Sequence, residues 1–165
     1  MVAVNCSVDD RPKREKAVNR TILLVEDNPD DEFLALRALH KNNVANEVIV
    51  ARDGLEALEY LFGEGARAGK PPLQPEVILL DLKLPKIDGI EVLRRVRADE
   101  RTRRIPTVIL TTSGETVDIE ASYDNGCNSY IRKPVDFEQF IEAVRQLGLY
   151  WLVLNKTAQS DTLAS

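Results

Sequence analysis

The chain of 165 residues is poor in cysteine: it has two, Cys6 and Cys127, far apart and without C-x-x-C spacing. Nothing in it looks disulfide-built, and a reduced, cytoplasmic protein is expected. It also lacks a long apolar run. None approaches the ~18 residues that suggest a membrane span, and the first residues have no apolar core of the kind a signal peptide needs. A basic excess is missing too. The net charge is -5, so nucleic-acid binding by the whole surface is not expected.

What is present suits a single globular domain. The hydrophobic share of 44% and charged share of 30% are ordinary. A chain of this size can hide roughly two-thirds of its unfolded surface. The charge is uneven: residues 1–20 carry Arg11, Lys13, Arg14, Lys16 and Arg20 against Asp9, Asp10 and Glu15, which leaves the body the more acidic part. Residues 1–19 are polar, without period, and read as a mobile arm. The domain is expected over 20–154, with a polar, flexible tail over 155–165.

From Thr21 on, short apolar runs alternate with amphipathic stretches. Strands are expected at Thr21–Val25, Glu47–Ala51, Val77–Leu80, Thr107–Leu110 and Asn128–Ile131. The continuous run of Val77–Leu80 suits a central parallel strand covered on both faces. A helix is expected from Pro29 to about His40, with Asn28 as its N-cap and Pro29 at its first position. Phe33, Leu34, Leu36 and Leu39 would turn inward. Asp53 caps a second helix through Phe62, whose apolar face is Leu55, Ala57, Leu58, Leu61 and Phe62. A Gly- and Pro-rich loop follows over 63–75. Further helices are expected over Asp88–Ala98, over Glu115–Asn125 with Gly126 at its end, and from Val135 to about Leu147. Strand–helix alternation repeated five times implies an α/β, (βα)5 doubly wound parallel sheet with right-handed connections. In such a sheet, function sits beyond the carboxyl ends of the strands.

The residues at those ends are chemically coherent. Strand one ends in Glu26-Asp27, strand three in Asp81 and strand four in Thr111-Thr112, while strand five runs into Lys133-Pro134. Three crowded carboxylates repel one another and need a cation. Mg²⁺ takes oxygen ligands at ~2.0–2.1 Å and keeps several waters; Mn²⁺ or Ca²⁺ could stand in for it. Asp27 and Asp81 would be direct ligands, with Glu26 acting directly or through water. Asp81 can also attack phosphorus to give an aspartyl phosphate, with the cation and Lys133 offsetting charge and the Thr111 hydroxyl hydrogen-bonding a phosphoryl oxygen. A salt bridge for Lys133 and a strand end for Thr111 are the plainer alternatives for each alone. The bond before Pro134 could be cis, since X-Pro bonds prefer trans by only ~0.5–1 kcal/mol.

The set Val25-Glu26-Asp27, Leu80-Asp81-Leu82-Lys83-Leu84-Pro85 with Asp88-Gly89, Leu110-Thr111-Thr112 and Tyr130 with Lys133-Pro134 resembles the bacterial response regulator receiver family. The resemblance runs from about Thr21 to Gly148. It implies the flavodoxin-like strand order 2-1-3-4-5 and Asp81 as phosphoacceptor. It also implies a metal held by Glu26, Asp27, Asp81 and the backbone carbonyl of Lys83, with Thr111 and Tyr130 as a switch pair and Lys133 on the phosphoryl group; a plain core role is the alternative for Tyr130. The implied partner is a sensor histidine kinase or a histidine phosphotransfer protein. The chain would be a switch that assists its own phosphorylation rather than a classical enzyme. His40 reads as a surface or helix-end residue rather than a phosphoryl carrier. More narrowly, Glu26-Asp27-Asn28-Pro29 with Asp31, Asp53-Gly54 with Glu56-Ala57-Leu58, the long loop before strand three, Thr111-Thr112-Ser113 and the Tyr150-Trp151 ending are similar to stand-alone regulators paired with phytochromes. Lys83 beside the metal site and Thr112 after the switch threonine depart from the usual pattern and bear on dephosphorylation.

No output domain fits after the fifth helix, so the signal would leave through the surface of helix four, strand five and helix five. Arg94, Arg95, Arg97, Arg101, Arg103 and Arg104 read as a solvated face with helix C-terminal cations rather than a DNA contact. The apolar run Leu149–Leu154 is more than one packed face requires. Aromatic residues bury ~150–250 Å² each, so Tyr150, Trp151 and Leu152 are candidates for a homodimer contact, the alternative being a fold-back on the same domain. Three rivals stand beside this reading. A dehalogenase-type Asp phosphatase would want an acid where Lys83 stands. A flavodoxin-like FMN carrier would want a phosphate loop after strand one, where Glu26-Asp27 would repel phosphate. The third rival is a receiver used only as a scaffold. Within the family, a phosphotransfer intermediate of a multi-step relay is the other role.

Overall fold

The computed structural model describes residues 21–41, 47–112 and 114–133, with residues 138, 139 and 142 beyond them. The order is β1 (Thr21–Val25), α1 (Pro29–Lys41), β2 (Glu47–Ala51), α2 (Gly54–Phe62), a 3₁₀ turn (Gly65–Arg67), β3 (Val77–Leu80), α3 (Gly89–Ala98), β4 (Thr107–Thr111), α4 (Thr116–Asp124) and β5 (Ser129–Arg132). The five strands form one sheet in the order β2-β1-β3-β4-β5, all pairs parallel. This is the expected doubly wound architecture. The N-terminal arm, Cys6, Ser113, Pro134, most of the expected fifth helix and the Tyr150-Trp151-Leu152 segment lie outside the described residues.

Burial follows position in the sheet. β1, β3 and β4 are buried at every residue, whereas edge strands β2 and β5 are partly exposed. Because strand side chains alternate between faces, the apolar runs feed two cores. Ile22, Leu24, Leu79 and Leu110 meet Leu39 of α1 on one face. Leu23, Val25, Ile78, Leu80 and Ile109 meet Ala57, Leu58 and Leu61 of α2 and Val92, Leu93 and Val96 of α3 on the other.

Two helix faces differ from expectation. Leu36 and Leu39 of α1 face the sheet with Ala35, but Phe33 and Leu34 are 63% and 52% exposed. In α2 the buried residues are Gly54, Ala57, Leu58 and Leu61, and Leu55 is exposed. The cause is phase. At 3.6 residues per turn one face collects i, i+3, i+4 and i+7, and these three apolar residues fall off it.

The loop between β3 and α3 is clamped by the first turns of two helices. Asp53 Oδ1 accepts from the Glu56 amide at 2.7 Å and Asp88 Oδ1 from the Glu91 amide at 3.0 Å, each capping its helix. Both caps are followed by glycine for lack of space. A Cβ on Gly54 would stand 1.9 Å from the Ile87 carbonyl oxygen, and one on Gly89 would stand 2.2 Å from that of Asp81. Lys86 within this loop holds a left-handed backbone, φ 66°, and its ammonium pairs with Asp53 at 3.2 Å. The segment after Asp81 is thus held from both sides.

The arginine-rich segment is not one solvated face. Arg94 and Arg95 pair with Glu91, and Arg101 with Asp99, near the surface. Arg97 instead is half-buried and donates to the carbonyls of Gly126, Arg103 and Ile105 and to Asn128 Oδ1, at 2.8–3.0 Å. Cys127 beside it is buried, and desolvation pushes its thiol up to about 11, so it behaves as a small apolar core residue.

Candidate functional site

The carboxyl ends of β1 and β3 bring three carboxylates together. Glu26 and Asp81 are buried and Asp27 is exposed. One oxygen from each can be chosen so that all three lie within 4.8 Å of one another. The parallel register sets this up, since Val25 pairs with Leu80 and the next residues of both strands are acids. The donor set suits a hard cation. Oxygens bound to one Mg²⁺ at ~2.1 Å stand about 3–4.2 Å apart, so the three carboxylates are close enough for a modest inward shift of their side chains to seat the ion. The Lys83 amide donates to Asp81 Oδ1 at 3.4 Å, while its side chain points to solvent.

Lys133 enters from the end of β5, its amide donating to the Thr111 carbonyl at 2.8 Å. Its side chain is 8% exposed. Its ammonium donates to Glu26 Oε2, to Asp31 Oδ2 at 3.1 Å and to Asp81 Oδ2 at 3.2 Å. Burial alone would lower the Lys133 pKa, but the hydrogen bond to Glu26, the charges of Asp81 and Glu26 and the bond to Asp31 hold it above the usual lysine value. Burial pushes Glu26 up to about 7, and the charge of Asp81 adds to that; the hydrogen bond from Lys133 opposes it. The two directions agree physically. One ammonium serves several carboxylates, so it stays charged, and the most buried acid bears the remaining repulsion.

Thr111 is fully buried at the end of β4. Tyr130 is half-buried and packs against the core on the α2–α3 side of the sheet. Tyr130 registers with Ile109 and Thr111 with Arg132, so Thr111 and Tyr130 share a sheet face two register steps apart. Thr112 is exposed at the mouth, and His40 is exposed near the end of α1. The fold therefore gathers Glu26, Asp27, Asp81, Thr111 and Lys133 at one sheet edge. Sequence patterning did not reveal the contact from Asp31. Its signal was present in the chain, as a further acid in the first turn of α1, oriented by Asn28 Oδ1, which accepts from the Asp30 and Asp31 amides at 2.9 and 3.2 Å.

A five-stranded 2-1-3-4-5 sheet with this acid–lysine edge is the architecture of a receiver. The chain belongs to the response regulator receiver domain family, which it matches over residues 22–145. Receiver domains are signalling switches rather than classical enzymes. Among solved structures, the chain is similar to the bacteriophytochrome response regulator AtBRR, at 53% identity and a TM-score of 0.73, covering 80% of this chain and 94% of that one. It is 38% identical over 133 residues to Response regulator Rcp1 of Synechocystis sp. (strain ATCC 27184 / PCC 6803 / Kazusa), covering 81% and 89% of the two. The Mn²⁺-bound form of Rcp1 aligns with a TM-score of 0.67 over 81% of this chain and 94% of that chain. It is also 42% identical over 137 residues to the probable methanogenesis regulatory protein FilR2 of Methanothrix harundinacea (strain 6Ac), covering 82% and 86%. Among the described residues no helix is long and apolar enough to cross a membrane.

Proposed function

We propose that this chain is a single-domain response regulator, working in the cytoplasm, that accepts a phosphoryl group on Asp81 from a histidine kinase or histidine phosphotransfer protein. The observation that carries this reading is the convergence of Glu26, Asp27 and Asp81 within 4.8 Å, with the Lys133 ammonium 3.2 Å from Asp81 Oδ2. The likeness to AtBRR supports a phytochrome as the sensor. A dehalogenase-type phosphatase is disfavoured by Lys83, whose exposed ammonium stands where that chemistry wants a second acid.

In the transfer, an Asp81 oxygen attacks phosphorus. The phosphorus–nitrogen bond of phosphohistidine breaks, its electron pair passes to the imidazole, and an acyl phosphate remains on Asp81. Glu26, Asp27, Asp81 and the Lys83 carbonyl would hold Mg²⁺, which would supply positive charge to offset the phosphoryl oxygens. Lys133 brings a second, fixed positive charge, already in place before the group arrives. Thr111 offers its hydroxyl to a phosphoryl oxygen. The test is intact-protein mass after incubation with acetyl phosphate. A gain of one phosphoryl group with Mg²⁺, and none without it, is expected; no gain under either condition would refute the reading.

The signal leaves when Thr111 is drawn toward the phosphoryl group and Tyr130 turns into the space behind it, biasing the face of α4, β5 and the following helix. Helix α4 suits such a role. Its N-cap, Glu115, makes no side-chain capping bond, and Val117 and Tyr123 are exposed on it. The Tyr130→Ala variant should be phosphorylated at the parent's rate and lose the phosphorylation-dependent gain in partner affinity, measured by titration with the partner. An unchanged gain would remove Tyr130 from the switch. The Leu149–Leu154 run, with Tyr150, Trp151 and Leu152, is proposed to join two copies. Light scattering should give a dimer mass that falls to that of a monomer in Trp151→Glu; a parent that is monomeric at high concentration would refute this.

A further inference from the structure

We propose that Asp31 is a positioning residue for the Lys133 ammonium, and through it for the phosphoryl group on Asp81; the inference rests on the reading of Asp81 as acceptor. A lysine ammonium has three N–H donors and no acceptor. Here three carboxylates receive them: Glu26, Asp31 and Asp81. Two of these partners are claimed by other events. Glu26 and Asp81 belong, with Asp27, to the cluster whose oxygens converge on the cation position. Asp81 also gives up its charge when it becomes an acyl phosphate. Asp31 is outside that cluster and is not consumed in the reaction.

Asp31 is therefore the partner that stays. Its backbone is fixed by the Asn28 side chain in the first turn of α1, so its carboxylate does not wander with a loop. It gives the ammonium an anchor separate from Asp81, which leaves the donor now on Asp81 Oδ2 available to a phosphoryl oxygen on that residue. Lysine carries its charge on a flexible four-carbon stem. Without a permanent anchor that stem can follow Glu26 when the cation draws Glu26 away. Fixing it beforehand is the preorganisation that makes a charge effective in a transfer step. The plainer reading, that Asp31 is one more acid favoured at a helix N-terminus, would apply equally to Asp30 in the same turn.

The test compares Asp31→Ala, Asp31→Asn and Asp30→Ala in the full chain. The maximal phosphorylation rate and half-saturating concentration are measured with acetyl phosphate at saturating Mg²⁺, and Mg²⁺ affinity by calorimetry. In this reaction the Asp81 oxygen attacks phosphorus and acetate leaves. Asp31→Ala should lower the maximal rate about 5- to 30-fold, as expected for a misplaced reacting charge, with Mg²⁺ affinity unchanged within about twofold. Asp31→Asn keeps an oxygen for the ammonium and should recover most of the rate, and Asp30→Ala should match the parent. An Asp31→Ala rate equal to or above the parent's, an equal loss in Asp30→Ala, or a loss explained by weaker Mg²⁺ binding would each overturn the role of Asp31 while leaving Asp81 as acceptor. Failure of the parent itself to take up a phosphoryl group would overturn both.

Discussion

Replacing Asp81 by Asn is expected to abolish the mass gain seen with acetyl phosphate and Mg²⁺, a loss of at least about 1,000-fold in rate. The substitution keeps the shape of a buried side chain, so the fold should persist. It removes the anionic oxygen that attacks phosphorus, and a neutral amide has no comparable nucleophile. It also removes one of the three charges that converge on the cation position. One carboxylate fewer relieves the repulsion that helps push Glu26 up to about 7, so thermal stability without Mg²⁺ should be equal to or above that of the parent. The two readouts separate chemistry from folding. A mass gain that survives in Asp81→Asn would mean that another side chain is the acceptor.

Replacing Arg97 by Ala should cost about 2–4 kcal/mol and lower the melting temperature by roughly 5–15 °C. The guanidinium satisfies carbonyls in two separate loops: Arg103 and Ile105 lead into β4, and Gly126 and Asn128 lead into β5. Asn128 Oδ1 also accepts from the Thr107 amide at 2.9 Å, so losing the arginine loosens the entry of both strands. Desolvation lowers the Arg97 pKa, yet the planar fork matches several acceptors that lysine, with three donors on one nitrogen, cannot span. Arg97→Lys should therefore recover only part of the loss. Arg94→Ala, which removes an exposed pair with Glu91, should leave the melting temperature close to the parent's. Thermal unfolding of the three variants checks this. The site lies at the other end of the strands, so Arg97→Ala should still be phosphorylated well below its melting point. A stability loss no larger than that of Arg94→Ala would show that water replaces the guanidinium at little cost.

Much of the fold was legible because its signals are local. Val77–Leu80 and Thr21–Val25 read as covered strands since no polar residue interrupts them. Asn28, Asp53 and Asp88 were legible as helix starts because capping depends on the few residues that follow. The site was legible for a related reason. In a parallel sheet the residue after each strand must fall on one edge, so strand-end position alone gathers Glu26, Asp27, Asp81, Thr111 and Lys133. Which apolar residues of α1 and α2 turn inward was less legible. Phe33, Leu34 and Leu55 fit a loose amphipathic pattern, and only the rotation of each helix on the sheet puts them outside.

The amino-acid sequence by itself determined the (βα)5 order, the parallel sheet and the acid–lysine edge, because period, capping and strand-end position are written within short windows of chain. The tertiary structure alone decided the partners drawn from far apart. Asp31 reaches Lys133 across 102 positions of chain, and Arg97 reaches Asn128 across 31. It also decided that Gly54 and Gly89 are glycine because the Ile87 and Asp81 carbonyls leave no room for a Cβ. Such choices depend on distances between segments, and those exist only after the helices have settled against the sheet.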